Sequence, residues 1–277
     1  MADLEAAWVA SEAVAGGDLG AIDVVARTYR ALGDREKERE WAMRAYTALV
    51  GSEEARSGVT LGQLRDLAIF LDHHLLVGPG QGYPAFAAAL ARLARRGGLA
   101  SGAHVVLAFP LGTPEARRIL AAELLDGQGD PRLGVAKVLS WAYRNAGELT
   151  AWRDSLDQNI AASQGDTKAL WLAAKGYAVT LLPERPNLLR RKRWLNRALA
   201  AAGTEQGRLV VLGEFAEHYR RLGRPDVGAE MLESLQHQFS GEALAAVEDL
   251  HQQLEREAER RRARAVQEKI AAERSRR

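Results

Sequence analysis

The chain has 277 residues, 47% apolar and 27% charged, enough for one large or two ordinary globular domains with a sizeable core. It contains no cysteine, which excludes disulfides, thiolate metal sites and cysteine nucleophiles. The net charge of +2 is unevenly placed: residues 255–277 carry nine Lys/Arg against five Glu, the rest 29 basic against 31 acidic residues, so the pI near 9 belongs to the tail.

The apolar share is mostly Ala and Leu, strong helix formers. Aromatics are 6%, and no alternating Val/Ile/Thr run reads as a strand, so the expected fold class is all-α. The first residues, MADLEAAWVASEAVAGG, lack the basic start and apolar block of a signal peptide. No run of about 18 uncharged apolar residues offers a membrane span. A cytoplasmic protein without a membrane span is expected.

In chain order, the apolar spacing predicts an opening helix over 3–16 and six helical hairpins, at 18–50, 60–96, 98–126, 131–164, 166–202 and 204–238. A long closing helix follows from 241 to about 275. Gly, Asp, Ser, Thr and Pro clusters punctuate these segments, as in LGD at 32–34, GPGQG at 78–82, PLGTP at 110–114 and LGRPD at 222–226. Two regions are expected: a helical-repeat domain over 1–240, and a capping helix with a charged basic tail over 241–277.

Three short stretches repeat: YRALG at 29–33, YRNAG at 143–147 and YRRLG at 219–223. Tyr29 to Tyr143 is 114 residues and Tyr143 to Tyr219 is 76, three and two times a period of 38, within the window for helical-hairpin repeats. Around Tyr29 stand Ile22, Val25, Ala26, Gly33 and Ala45; around Tyr219 stand Leu212, Phe215, Ala216, Gly223 and Gly228; around Tyr143 stand Ala136, Leu139, Ser140 and Gly147. This cadence resembles the tetratricopeptide repeat over roughly 18–238. Two positions depart from it: Glu38 and Trp152 stand where that family has a small residue.

The resemblance implies a superhelical α-solenoid of about six antiparallel hairpins, in which each hairpin buries its apolar face on its neighbours. It implies a non-catalytic protein-interaction scaffold that holds a partner segment in a concave groove. First-helix positions that face the groove in that family fall here on Asp23, Arg27 and Arg30; on Lys137, Trp141, Arg144 and Asn145; on Lys168, Trp171 and Lys175; and on Glu217, Arg220 and Arg221. Arg, Lys, Asn and Trp suit an extended acidic segment, with guanidinium forks on carboxylates and Trp as an apolar anchor. Local pairing of these arginines with nearby Glu is the competing account. The family's clamp for chaperone tails is not implied, since only Lys137 matches it in type.

No chemistry of its own is expected of the chain, and neither cofactor nor metal. Adjacent His73 and His74 point about 100° apart on a helix and do not converge on one ion; one solvent-facing and one packed histidine is expected. GPGQG follows a helix and lacks the Lys-Ser/Thr of a phosphate loop, so it reads as a turn. No G-x-S-x-G occurs. The tail from Glu255 mixes Arg with Glu and reads as a solvated or partner-docking helix, and LLRRKRWLNRA at 188–198 as a solvated basic face. Two alternative readings remain: a nucleic-acid-associated protein that uses the tail and residues 190–193, and a helical accessory subunit of an enzyme complex.

Overall fold

A computed structural model describes residues 18–96, 99, 104–125, 132–182 and 188–275. Among these the chain is all-α, with fourteen α-helices and no strand, only isolated bridges at Gly78–Gln81 and Gly82–Leu111. The predicted opening helix over 3–16 lies outside the described residues. Internal contacts divide the chain into two units, 1–152 and 153–277. The sequence boundary at 240 falls inside the second unit, where the closing helix packs.

The first unit begins with α1 (Leu19–Ala31) and α2 (Arg35–Tyr46). Asp18 starts α1 by accepting from the N–H groups of Gly20 and Ala21, and Asp34 starts α2 by accepting from Lys37. Ile22, Val25, Ala26 and Tyr29 on α1, with Trp41, Ala42 and Ala45 on α2, are buried as the hairpin's apolar faces. The turn expected at 50–58 instead holds a π-helical turn (Thr47–Gly51) and α3 (Glu53–Gly58). Ser52 caps α3, and Glu53 and Glu54 favour its positive end.

Next come α4 (Leu61–His73), entered through a Thr60–Gln63 capping box, and α5 (Pro84–Arg95), with Pro at its first turn. The predicted hairpin over 98–126 is reduced to α6 (His104–Leu107) and α7 (Pro114–Ala121), because Pro110, Gly112 and Pro114 break the run between them. The GPGQG stretch is the turn between α4 and α5, and it docks on the 110–113 loop. Tyr83 N–H donates to Pro110 O at 2.9 Å, and a Cβ on Gly112 would lie 2.1 Å from Gly78 O. The unit closes with α8 (Leu133–Asn145) and the start of α9 (Leu149–Ala162). Trp152 on α9 donates to Ser140 at 2.9 Å and stacks on Tyr143 at 5.2 Å.

The second unit takes the rest of α9, then α10 (Gly165–Val179), α11 (Leu188–Ala201), α12 (Glu205–Arg221), α13 (Pro225–Leu235) and α14 (Gly241–Ser275). Nearly every residue of α10 from Ala169 to Val179 is buried, and Gly176 lets α11 approach so closely that a Cβ there would meet Trp194 Cβ at 3.0 Å. On α14, Val247, Leu254 and Ala258 are buried, but every residue from Glu259 to Arg274 is exposed. The closing helix therefore packs at its start and is exposed for about 24 Å beyond, where Arg261 still donates to the Arg220 carbonyl at 3.3 Å.

The Tyr-Arg-x-x-Gly stretches now have a local cause. After α1, α8 and α12 the chain makes the same cap: the N–H after the Gly donates to the Tyr carbonyl at 2.8–2.9 Å, and the Gly N–H donates to the Arg carbonyl at 3.0–3.1 Å. Gly33, Gly147 and Gly223 take φ of 79°, 76° and 72°, the left-handed conformation this cap requires. A fourth copy follows α4 without glycine. Leu76 N–H donates to Leu71 O and Leu75 N–H to Asp72 O, both at 2.9 Å, with Leu75 at φ 55° and 72% exposed.

Candidate functional site

Most of the predicted groove residues carry local partners. Arg27 pairs with Asp23 at 2.7 Å one turn earlier. Arg30 donates through Nε to Glu38 at 2.7 Å and through Nη2 to the His73 carbonyl at 2.7 Å. Arg220 reaches Glu257 at 3.3 Å and Gln253 at 3.1 Å, and Arg221 pairs with Glu217 at 2.6 Å and covers the Tyr177 ring at 5.2 Å. Lys137, Trp171 and Lys175 are buried; Lys175 sits on the Trp194 ring at 4.9 Å and pairs with Asp157. Their predicted exposure to a partner is not seen, because α8 and α10 bury those turns on their own neighbours.

Trp141 and Arg144 on α8 are brought together. The Arg144 guanidinium lies over the half-buried Trp141 ring at 4.6 Å, and Arg144 itself is exposed, with half-buried Asn145 next to it. A guanidinium is attracted to the face of an indole and carries its N–H donors in one planar fork.

Sequence reasoning missed a buried ionic cluster in the first unit. Glu38, 2% exposed, accepts from Arg30 and from Arg35 at 2.7 Å. His74 Nδ1 lies 2.9 Å from Glu38 Oε1, and His74 Nε2 lies 3.1 Å from Asp23 Oδ1. Arg30 Nη2 also lies 3.3 Å from His74 Nδ1, so the ring is enclosed by groups of both charges. Burial pushes the Glu38 carboxyl up, but the hydrogen bonds from Arg30, His74 and Arg35 outweigh it and hold it at about 2. His73 is exposed and His74 packed, the split that their angular separation implies. The signal available was Glu38 itself, a charge at a small-residue position.

The second unit holds a buried cluster of another kind. Arg191, from the cluster read as a solvated basic face, is fully buried, while Arg190, Lys192 and Arg193 are exposed. It donates to Glu214 at 2.9 Å and to Glu217 at 3.3 Å, but its Nε and Nη1 have no hydrogen-bond partner among the described residues. His218 is also fully buried, and neither ring nitrogen has a hydrogen-bond partner among the described residues. Burial first, then the positive charges of Arg191 and Lys192, push it from 6.5 down to about 4, so the ring is neutral at physiological pH. Arg191 shares a face with Leu195 and Ala198, a spacing that could have marked it as inward.

Among the described residues, no group of three or more His, Cys, Asp or Glu could hold a metal ion, and no helix is long and apolar enough to cross a membrane. The chain matches no protein-family model, no curated protein and no solved structure.

Proposed function

We propose that the chain is a non-catalytic interaction scaffold of tetratricopeptide-like hairpins, and that it binds an acidic, extended segment of a protein partner. The observation that carries this reading is the Trp141–Arg144 pair on α8. It combines an aromatic surface with a guanidinium that has no carboxylate partner among the described residues, while Arg27, Arg30, Arg220 and Arg221 are each engaged by a local acid. A partner would place a carboxylate on the Arg144 fork and an apolar residue against Trp141, the kind of anchor on which interfaces concentrate their energy.

The test is a fluorescence-anisotropy screen of acidic peptides that contain one large apolar residue. The expected result is a bound subset that loses about tenfold or more in affinity with Arg144→Glu, a loss of at least ~1.4 kcal/mol. The same peptides should keep their affinity with Arg27→Gln, whose guanidinium is already occupied. Binding that is indifferent to Arg144→Glu, or no binding by any peptide, rejects the reading.

A further inference from the structure

The exposed half of α14 carries a row of arginines along one face. At 100° per residue, Arg256, Arg260, Arg264 and Arg274 fall within an arc of about 80°, and no Asp or Glu of the tail falls in that arc. Gln253, Gln267 and Ala271 fill the rest of it. Glu255, Glu259 and Glu273 gather in an arc about 40° wide, about 60° from one edge of the row, and Glu257 and Glu268 lie about 20° and 40° beyond its other edge. Arg260 and Arg264 have no hydrogen-bond or ion-pair partner among the described residues, and Arg256 contacts only the Gln252 carbonyl of the previous turn. Glu257, the acid nearest the row, is held by Arg220 at 3.3 Å and Arg261 at 3.1 Å. The row runs about 27 Å along a helix exposed on every side from Glu259 onward. At its start it is continuous with an open groove lined by Arg220, Gln253, Arg256, Glu257 and Arg260.

We propose that this row binds the phosphate backbone of duplex nucleic acid. Its chemistry favours that partner over an acidic protein segment. The arc holds no aromatic and no large apolar residue, so a protein would find no anchor there; the tail's exposed Val266 and Ile270 lie outside it. A duplex needs none, since neutralising phosphates and releasing counterions supplies the affinity. A row this long spans about eight base-pair steps, so its four guanidiniums can meet four spaced phosphates without contacting base edges. Binding is therefore independent of sequence and steep in salt. It stands apart from the Trp141–Arg144 surface.

The experiment measures anisotropy of a labelled 20-base-pair duplex of arbitrary sequence with the full chain, at about 50 to 200 mM salt. Two double variants remove equal charge: Arg260→Gln/Arg264→Gln on the row, and Arg262→Gln/Lys269→Gln outside it. The wild type is expected to bind with a log–log salt slope between about −3 and −4, since four arginines neutralise about four phosphates. The on-row variant should bind about tenfold or more weakly, with a slope shallower by about 2. The off-row variant should stay within about twofold, and circular dichroism should show both variants equally helical. No binding by the wild type at the lowest salt overturns the proposal, as does equal weakening by both variants. Tighter binding of poly-glutamate than of duplex, lost in the on-row variant, overturns it in favour of an acidic protein. Unchanged duplex binding by Arg144→Glu separates this test from that of the proposed scaffold.

Discussion

His74 in the first unit and His218 in the second are both buried on helices, and they are opposites in every other respect. His74 lies between Glu38 and Asp23, with both ring nitrogens engaged. His218 lies beside Arg191 and Lys192, with neither nitrogen engaged and its pKa pushed down to about 4. One ring is built into a hydrogen-bonded cluster, the other is a neutral filler. Burial alone does not set what an imidazole contributes; the groups packed against it do.

The comparison breaks if the two rings respond alike to substitution. His74→Leu should lose about 3 kcal/mol of stability, since it removes a hydrogen-bond partner of buried Glu38 and half-buried Asp23. The loss sits at the low end for a broken buried pair because Arg30 and Arg35 still hold Glu38. Urea unfolding at pH 7 measures it, and a loss under about 1 kcal/mol would mean that the cluster contributes little.

Acid sharpens the contrast. The unfolded chain protonates a histidine near pH 6.5, while folded His218 does so only near pH 4. Between those values the unfolded state binds more protons, so stability falls as the pH falls, by about 2 to 3 kcal/mol in all. Glu38 acts in a lower window. Its folded carboxyl titrates at about 2 against an ordinary 4.5, so its contribution is whole above about pH 4.5 and is lost as pH falls through 2. Urea midpoints measured from pH 7.5 down to 4 should follow the first window and vanish from it in His218→Leu.

That same variant should gain about 2 kcal/mol at pH 7, opposite in sign to His74→Leu, because it replaces two unpartnered buried nitrogens with apolar atoms. The smallest effect concerns the caps. Leu75 occupies the left-handed position that glycine holds in the three other copies, so Leu75→Gly should stabilise by about 1 kcal/mol, read as a rise in Tm of a few degrees. Gly33→Leu should do the reverse.

Helix ends were legible where local chemistry enforces them. Tyr-Arg-x-x-Gly marks three helix ends because the cap needs a left-handed residue, and the same cap after α4 was invisible because Leu75 fills that place. The small-residue position nine after each tyrosine shows the limit. Gly228 is needed there, since a Cβ would lie 2.9 Å from Leu254 and 3.0 Å from Tyr219. Glu38 and Trp152 hold the equivalent places by other means, one through a buried ion cluster and one through Ser140 and the Tyr143 ring. The predicted groove arginines were correctly placed on first helices, but their partners Glu38, Glu217 and Glu257 stand 4 to 37 residues away. Only the nearest of those pairings can be read from helical spacing.

By itself the sequence determined the all-helical class, most of the turns, the Asp, Ser, Thr and Pro starts, and the long charged closing helix. These depend on backbone preferences and hydrogen bonds within a few residues, so a short window contains their cause. Tertiary structure alone decided which charges would be buried: why Arg191 is enclosed beside exposed Lys192, why His74 meets two carboxylates and His218 none, and why Arg144 keeps an open fork. Those outcomes turn on neighbours brought in from distant helices, and the free energy of a charge is set by what surrounds it in space.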